Sequence, residues 1–246
     1  MRTLILAGMI LFSTLGFSAA SESKASLAHE SEAGVILASG NSETQTYSVK
    51  QVTSYDWSEN STKLTGSYLL GKTSGTETAK KWDLGLRYER AFSSHLSAFS
   101  SYQVDSLPFA GTQLRHTVDL GAKYSLLKSQ EHELGSELGY RLTKESFTTD
   151  NGLTTNGYLT SHMSRFYIEW NAKWSEAVSS KLWSEYLQSY TNTRDYRFNL
   201  EPSLSVLLNK VFSIKLAYLV NFRNVPAVAG KKTIDTLYTT SLVAKF

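Results

Sequence analysis

The sequence predicts an all-β fold: a transmembrane, antiparallel, up-and-down β-barrel of about 12 strands that follows a cleaved signal peptide. Three observations support this prediction. Apolar and polar residues alternate with a period of two along nearly the whole chain. The alternating segments are long, close to the roughly 9–11 residues of a tilted membrane-spanning strand. The composition is rich in Tyr, Thr and Ser, residues that favour or tolerate strands.

The overall composition excludes several classes of protein. The 246 residues carry 25 Lys+Arg against 22 Asp+Glu, a formal net charge of +3. This near balance gives no reason to expect a nucleic-acid partner, which requires a clustered basic surplus. The chain has no cysteine, which excludes a disulfide scaffold, a thiolate metal site and a cysteine nucleophile.

The N-terminal residues predict a secretory signal peptide. Arg2 precedes an apolar stretch over residues 4–17, and Ser18-Ala19-Ala20 forms a small-residue cleavage site. A transmembrane anchor is the alternative, but a bilayer-spanning helix needs roughly 20 apolar residues. Residues 1–20 are therefore predicted to be a signal peptide, residues 21–31 a flexible lead, and residues 32–246 the barrel.

The remaining chain divides into alternating segments. In one of them Ile214, Leu216 and Tyr218 lie on one face, while Lys215 and Ala217 lie on the other. A β-sandwich also alternates, but its strands usually have about 5–6 residues. The segments predict strands near residues 32–40, 44–57, 63–73, 80–92, 95–105, 112–127, 131–146, 156–174, 179–191, 194–208, 210–224 and 232–246.

Loop lengths and aromatic residues indicate an orientation in the bacterial outer membrane. An even number of strands places both termini on one side, which is periplasmic in such barrels, where the turns are short and the outer loops longer. The predicted turns follow this asymmetry. Aromatic residues that mark a membrane interface also fall near the predicted periplasmic ends: Trp57, Phe92, Trp170, Trp174 and Phe246.

The turn Ser39-Gly40-Asn41-Ser42-Glu43-Thr44 resembles a motif of the salt-induced outer-membrane protein family. Shorter matches support the resemblance: Gly85-Leu86-Arg87-Tyr88-Glu89, Asp105 with Phe109-Ala110-Gly111, Gly121 with Tyr124, and Gly139-Tyr140-Arg141. The resemblance implies a bacterial barrel whose expression is linked to salt or osmotic stress. It implies no catalytic residue.

The sequence contains no motif that predicts an enzyme, a metal site or a cofactor site. The five histidines show no spacing suited to zinc, and no nucleophile elbow or phosphate-binding loop is present. A lipid-modifying barrel that uses a His–Ser pair is the alternative. We expect His116 and His162, the histidines considered for that role, to lie on the outward face.

Charged residues on the opposite face predict the character of the lumen. The set is nearly balanced in sign, whereas strong ion selectivity usually relies on rings of one sign. It therefore predicts cross-strand ion pairs that narrow the passage. Its members include Arg87, Glu89, Arg115, Asp119, Lys123, Glu137, Arg141, Glu145, Arg165, Glu169, Arg197, Glu201, Lys215 and Arg223.

One hairpin allows its register to be predicted. A loop at Ser129–Glu131 makes opposite residues have numbers that sum to 260, which pairs Arg115 with Glu145, Asp119 with Arg141, and Lys123 with Glu137. Gly121 then faces Gly139, and we expect a local recess there. This charge ladder predicts that Asp119→Arg lowers stability or alters conductance, and that adding Arg141→Asp restores much of the loss.

These observations predict a monomeric outer-membrane barrel that forms a narrow channel or an envelope-structural element. Its expected partners are outer-membrane lipids and the barrel assembly machinery, because the chain ends in an alternating strand with a terminal Phe246, which resembles the signal read by that machinery. A lipid-modifying enzyme and a surface-binding barrel remain as alternatives.

Overall fold

The protein is a closed barrel of twelve antiparallel strands in which each strand pairs with its neighbours in the chain, and β1 pairs with β12. This computed structural model describes residues 25–38, 44–149, 154 and 157–246. The strands are β1 Ser26–Ala38, β2 Thr44–Trp57, β3 Asn60–Thr73, β4 Thr76–Ala91, β5 Leu96–Leu107, β6 Thr112–Lys128, β7 His132–Phe147, β8 Leu159–Lys173, β9 Val178–Ser189, β10 Tyr196–Leu207, β11 Phe212–Arg223 and β12 Ile234–Lys245. The predicted fold class and strand number are confirmed.

The two ends of the barrel differ in their connections. We call the end that holds Ser26 and Phe246 the terminal end, and the other the distal end. Turns at the terminal end have two to four residues, whereas the distal connections have two to eleven. A one-turn 3-10 helix, Pro108–Ala110, lies in the distal connection between β5 and β6. No helix in the described ranges is long and apolar enough to cross a membrane.

The strand boundaries differ from the predicted ones mainly at β1. This strand begins at Ser26, not near residue 32, because residues 26–31 pair in register with residues 51–56 of β2. The part of the predicted flexible lead after residue 25 is therefore strand. The predicted signal peptide, residues 21–24 and the first five residues of the Ser39–Thr44 turn lie outside the described residues.

The outer face of the barrel is apolar and exposed. Leu86, Leu120, Leu138, Leu216 and Leu242 all point outward, and Leu138 is 67% exposed. The inner face carries polar and charged side chains, many of them buried, among them Asp105, Asp119, Glu137, Glu145 and Arg165. Soluble proteins rarely leave such a large continuous apolar area in water, so this inverted distribution suits a surrounding of lipid.

Aromatic side chains encircle the terminal end of the barrel. Trp170 and Trp174 pack edge to face, with ring centroids 5.9 Å apart, and His132 stacks on Trp170. Phe246 contacts the ring of His29, and its backbone forms two hydrogen bonds with that residue. Rings of this kind are enriched where a bilayer meets water, which supports the predicted aromatic girdle.

A charge on the outer face should be far more damaging than one on the inner face. Leu216 in β11 points outward, and its neighbour Ala217 pairs with the inward-facing Thr239 of β12. We expect Leu216→Arg to lower the free energy of unfolding by about 2–4 kcal/mol, as measured by urea titration in vesicles, because the charge enters the hydrocarbon. Thr239→Arg is the matched control at nearly the same depth. Equal losses in the two variants would contradict the assigned faces.

Candidate functional site: the lumen

The register predicted for the hairpin of β6 and β7 is confirmed. Arg115 pairs with Glu145, Asp119 with Arg141, Gly121 with Gly139, and Lys123 with Glu137. Register shifts between Thr112 and Leu114 and between Ser125 and Leu127 change the pairing only at the two ends of the hairpin. The hairpin therefore presents all six predicted charges to the lumen, as the alternation requires.

The side chains do not form the simple ladder that the register suggests. Of the three register pairs, only Arg141 and Asp119 are joined by two short hydrogen bonds, at 2.7 and 2.8 Å. Arg115 binds Asp105 at 2.9 Å and lies 3.9 Å from Glu145. Lys123 reaches Glu89 at 3.1 Å instead of its register partner Glu137. Backbone pairing fixes the positions of the residues, whereas long side chains bind partners up to four strands away, as Glu145 of β7 does with Arg223 of β11.

Six side chains form a central charge cluster on the wall made by β4 to β9: Arg87, Asp119, Glu137, Arg141, Arg165 and Glu185. Arg165 is the hub, with Glu137 and Glu185 each at 2.6 Å. Arg141 also binds Glu185 at 2.9 Å, and Arg87 binds Glu137 at 2.8 Å. Three positive and three negative charges thus share partners, and buried ions require such pairing.

The recess expected at Gly121 and Gly139 is filled. The ring of Phe99 from β5 lies against both glycines, so that a Cβ added to Gly121 would stand 2.8 Å from its Cζ atom. The guanidinium of Arg87 lies 4.0 Å from the centroid of this ring, and that of Arg165 lies 5.7 Å away. Phe99 is 4% exposed. The paired glycines therefore anchor the central cluster through an aromatic ring, and the prediction of an open recess is wrong.

A second cluster of charged side chains lies at the distal end. This distal charge cluster consists of Asp105, Arg115, Glu145, Asp195, Arg197 and Arg223. Glu145, which is 1% exposed, accepts a hydrogen bond from Thr112 at 2.6 Å and lies 3.1 Å from Arg223 of β11. Asp195 binds Arg197 at 2.8 Å and Arg223 at 3.5 Å. The cluster joins strands β5, β6 and β7 to β10 and β11, and so it crosses the lumen.

The connection between β11 and β12 reaches over the same opening. We call residues 224–233 the distal loop. A Cβ added to Gly111, in the turn between β5 and β6, would stand 3.0 Å from Val228 and 3.3 Å from Ala227, which is 4% exposed. In a ring of twelve strands these two connections are six places apart. The distal loop therefore spans the mouth from one side to the other.

The remaining predicted lumen residues also lie on inward positions of their strands. Lys215 forms an ion pair with Glu32 of β1 at 3.1 Å, and Glu169 forms one with Lys181 at 2.6 Å. Glu201 faces the lumen opposite Trp183 and has no ion-pair partner among the described residues. Sequence reasoning missed Glu32, Asp105, Lys181, Glu185 and Asp195, although the same alternation marks all of these except Asp195.

The two histidines considered for a His–Ser pair contact tyrosine hydroxyls, whereas His95 lies 2.8 Å from the hydroxyl of its neighbour Ser94. His116 and His162 lie on the outward face, as expected, and their Nδ1 atoms hydrogen-bond to the hydroxyls of Tyr102 and Tyr140. The ranges that the structure describes hold no group of three or more potential metal ligands.

Shared partners change the outcome expected for a charge swap. Asp119→Arg should weaken the barrel, but adding Arg141→Asp should restore less than half of the lost unfolding free energy. The swap places a carboxylate beside Glu185 and a guanidinium beside Arg165, and both contacts are repulsive. The structure thus revises the rescue that the ladder alone predicts.

The pair of Lys215 and Glu32 provides the matched control, since each has a single ion-pair partner within the described structure. Here Lys215→Glu combined with Glu32→Lys should recover most of the loss. Urea unfolding of the four single and two double variants measures both couplings. Full recovery at Asp119 and Arg141 would show that these two residues act as an isolated pair.

Comparison with known proteins agrees with this architecture. A family model described as "Protein of unknown function, DUF481" matches residues 31–246, whereas no curated protein matches the chain. Among solved structures, the NanC porin has a TM-score of 0.50 at 10% identity, covering 89% of this chain and 98% of that one. The KdgM porin has a TM-score of 0.45 at 10% identity, with coverages of 90% and 98%. The translocator domain of the autotransporter NalP from Neisseria meningitidis has a TM-score of 0.46 at 13% identity, with coverages of 89% and 86%. The first of these similarities supports the barrel fold.

Proposed function

Since the chain belongs to DUF481, a family of outer-membrane β-barrel type proteins of unknown function, we propose that it is a narrow outer-membrane channel whose distal mouth opens and closes. Membership confirms the resemblance to salt-induced outer-membrane proteins at the level of the family. A link to salt or osmotic stress belongs to the proposal, and it rests on that resemblance.

One observation carries the proposal: a loop and a charge cluster cross the lumen at one end, whereas charged side chains stay partly exposed nearer the other. The distal loop and the distal charge cluster cross the mouth, whereas lumen charges nearer the terminal end stay partly exposed. The side chains of Lys123 and Lys181 are 41% and 42% exposed. A barrel with a purely structural role has no need for water-exposed charges along its axis. Charged side chains at one end can interact with passing ions, and a loop at the other end can move aside. This combination suits regulated passage.

The proposed orientation places the terminal end in the periplasm and the distal loop outside the cell. Outer-membrane barrels have short periplasmic turns and longer outer loops, and this chain has the same asymmetry. The apolar outer face would contact outer-membrane lipids, and the terminal Phe246 would be presented to the barrel assembly machinery. We propose a monomer, in which one lumen forms one conducting unit.

Recording from planar bilayers tests the proposal. Purified protein should give brief, small conductance steps separated by long closed periods, because the distal loop and the distal charge cluster extend across the mouth. Twelve strands enclose less space than the 16–18 of open porins, so each step should be smaller than that of an open porin in the same salt. The absence of steps at every voltage and salt concentration would overturn the channel.

A further inference from the structure

The seam between β1 and β12, which closes the barrel, is paired over only part of its length. Its ladder joins residues 30–33 of β1 to residues 242–245 of β12. All other neighbouring strands pair over at least nine residues. Both strands continue toward the distal end, but residues 34–38 and 234–241 join no ladder between β1 and β12 in the described structure. We call this opening the distal gap.

Both edges of the distal gap are held in place by their other neighbours. Residues 34–38 pair in register with β2, and residues 234–241 pair in register with β11. The edges still approach each other at the base of the gap, because a Cβ added to Gly34 would stand 2.9 Å from the carbonyl oxygen of Thr240. The distal gap therefore begins beyond Gly34 and lies between two fully formed strands.

Unpaired backbone groups in a barrel wall are unusual, because lipid offers them no hydrogen bonds and a closed barrel normally has no free edge. His29 and Phe246 exchange two backbone hydrogen bonds across the seam. By the alternation of an antiparallel ladder, the N–H and C=O groups of Val35 then point toward β12, and those of Tyr238 and Thr240 point toward β1. Backbone of this kind is tolerated at membrane depth where it lines a water-filled cavity. The distal gap therefore opens on the water of the lumen.

The side chains beside the distal gap are apolar on both faces of the wall. On the outer face, Val35 and Tyr238 are 59% and 55% exposed. On the inner face, Ile36 is 41% exposed, and Leu237 pairs with Leu219 of β11. An apolar path therefore leads from the bilayer to the lumen at the distal gap.

A strand from another chain does not fit this opening. A strand that paired with both edges would hold them roughly 9–10 Å apart, twice the spacing of neighbouring strands, whereas the edges approach closely at Gly34 and Thr240. A hydrocarbon chain is thinner than a strand, and it matches the apolar side chains on both faces. A molecule with one such chain and a polar head can keep its head in the water of the lumen while the chain lies between the strands.

We infer that the distal gap is a lateral opening through which a single-chain amphiphile, a molecule of the fatty-acid class, passes between the lumen and the bilayer. Its acyl chain lies against Ile36, Leu219 and Leu237 on the inner face, and it reaches the bilayer past Val35 and Tyr238. This inference goes beyond the proposed channel, because the route runs sideways through the wall and does not require the distal mouth to open.

Fluorophores on single cysteines test the opening, since the chain has no native cysteine. Ile36→Cys places the label on the lumen side of the distal gap and Val35→Cys on the lipid side. Gln103→Cys places it on the inner face of β5, four strands from β1. Each labelled protein is reconstituted in phosphatidylcholine vesicles that contain dibromostearate, whose bromine atoms quench the fluorophore on contact. We expect strong quenching at positions 35 and 36 and little at position 103.

Two outcomes of this experiment would overturn the lateral opening. An unquenched label at position 36 would show that the seam is closed in a bilayer or is covered by another protein. Equal quenching at positions 36 and 103 would show that the acid fills the lumen from its mouth. Quenching at position 36 in a protein that never conducts would retain the opening and refute the channel, whereas conductance without this quenching would do the reverse.

The number of acyl chains is tested with a second quencher. Dibromostearate should half-quench the label at position 36 at a mole fraction about tenfold lower than phosphatidylcholine with brominated chains, a difference that corresponds to about 1.4 kcal/mol. Both quenchers should act equally on the label at position 35 when they are compared per bromine atom. Equal mole fractions at position 36 would overturn the preference for a single chain.

A change in the apolar lining tests where the chain lies. Leu237→Asn should raise the mole fraction of dibromostearate that half-quenches the label at position 36 about tenfold, because one leucine contact is lost. Unchanged quenching at position 35 would show that the variant is folded in the bilayer. Leu207→Asn removes a leucine from the inner face near the terminal end, and this matched control should leave the mole fraction unchanged. Equal shifts in the two variants would overturn the assigned path.

Discussion

Replacing Glu145 with glutamine is expected to open the distal end of the barrel and to destabilise it. Arg115, Arg197 and Arg223 all lie within 3.9 Å of this one carboxylate. Without its charge, the distal charge cluster changes from three positive and three negative groups to a surplus of one cation. Breaking a buried ion pair by removing one partner costs about 3–5 kcal/mol. We therefore expect a comparable loss of unfolding free energy, measured by urea titration. In bilayers we expect a higher open probability and a reversal potential that shows greater selectivity for anions.

Glu201→Gln is the matched control for this experiment. Glu201 also faces the lumen, but the described structure gives it no ion-pair partner, so the same change of charge should leave unfolding within about 0.5 kcal/mol of wild type. Similar conductance traces for Glu145→Gln and the wild type would show that the distal charge cluster does not hold the mouth closed.

Replacing Gly121 with valine is expected to cause the second large effect, a loss of about 3 kcal/mol of unfolding free energy. A Cβ at this position would stand 2.5 Å from the carbonyl oxygen of Leu138 and 2.9 Å from the Cα of Gly139. Both obstacles are backbone atoms, which cannot rotate away. Valine has a higher strand propensity than glycine, so propensity alone would stabilise the variant. A loss of stability would therefore show that the close approach of the backbone dominates.

Gly135→Val, in the facing strand β7, is the control for close approach. A Cβ there has its nearest contact at 3.9 Å, the carbonyl oxygen of Tyr124. This variant should unfold at the wild-type urea concentration or slightly above it. If Gly121→Val is as stable as Gly135→Val, Phe99 and the paired glycines do not fix the central charge cluster in place.

The sequence allowed the fold and the inward face to be predicted because both depend on local patterns. Period-two alternation identifies which side chains face the lumen whatever their partners are, and the charges of β6 and β7 determine their mutual register. The same reasoning missed the early start of β1. Four of the six residues 26–31 are polar, and the segment is ordered by its pairing with β2.

Partner choice within the lumen was not predictable from the sequence. Glu137 stands beside Lys123 in register yet binds Arg87, which comes from a strand three places away. Such contacts depend on the curvature of the barrel and on which long side chains meet across it. The position of Phe99 has the same origin, because an aromatic ring fills the space that two paired glycines leave. The contact of the distal loop with Gly111 depends on the diameter of the barrel, a property of the assembled sheet.

Shortening the distal loop tests most directly whether this barrel is a channel closed at its distal mouth. The variant replaces residues 225–231 with a short Gly-Ser turn, which removes the contact of Ala227 and Val228 with Gly111, and it is recorded in planar bilayers beside the wild type under the same salt and voltage. The account predicts that the wild type stays mostly closed, whereas the variant conducts for most of the record, with larger steps. Closed periods of the same length in both proteins would contradict it.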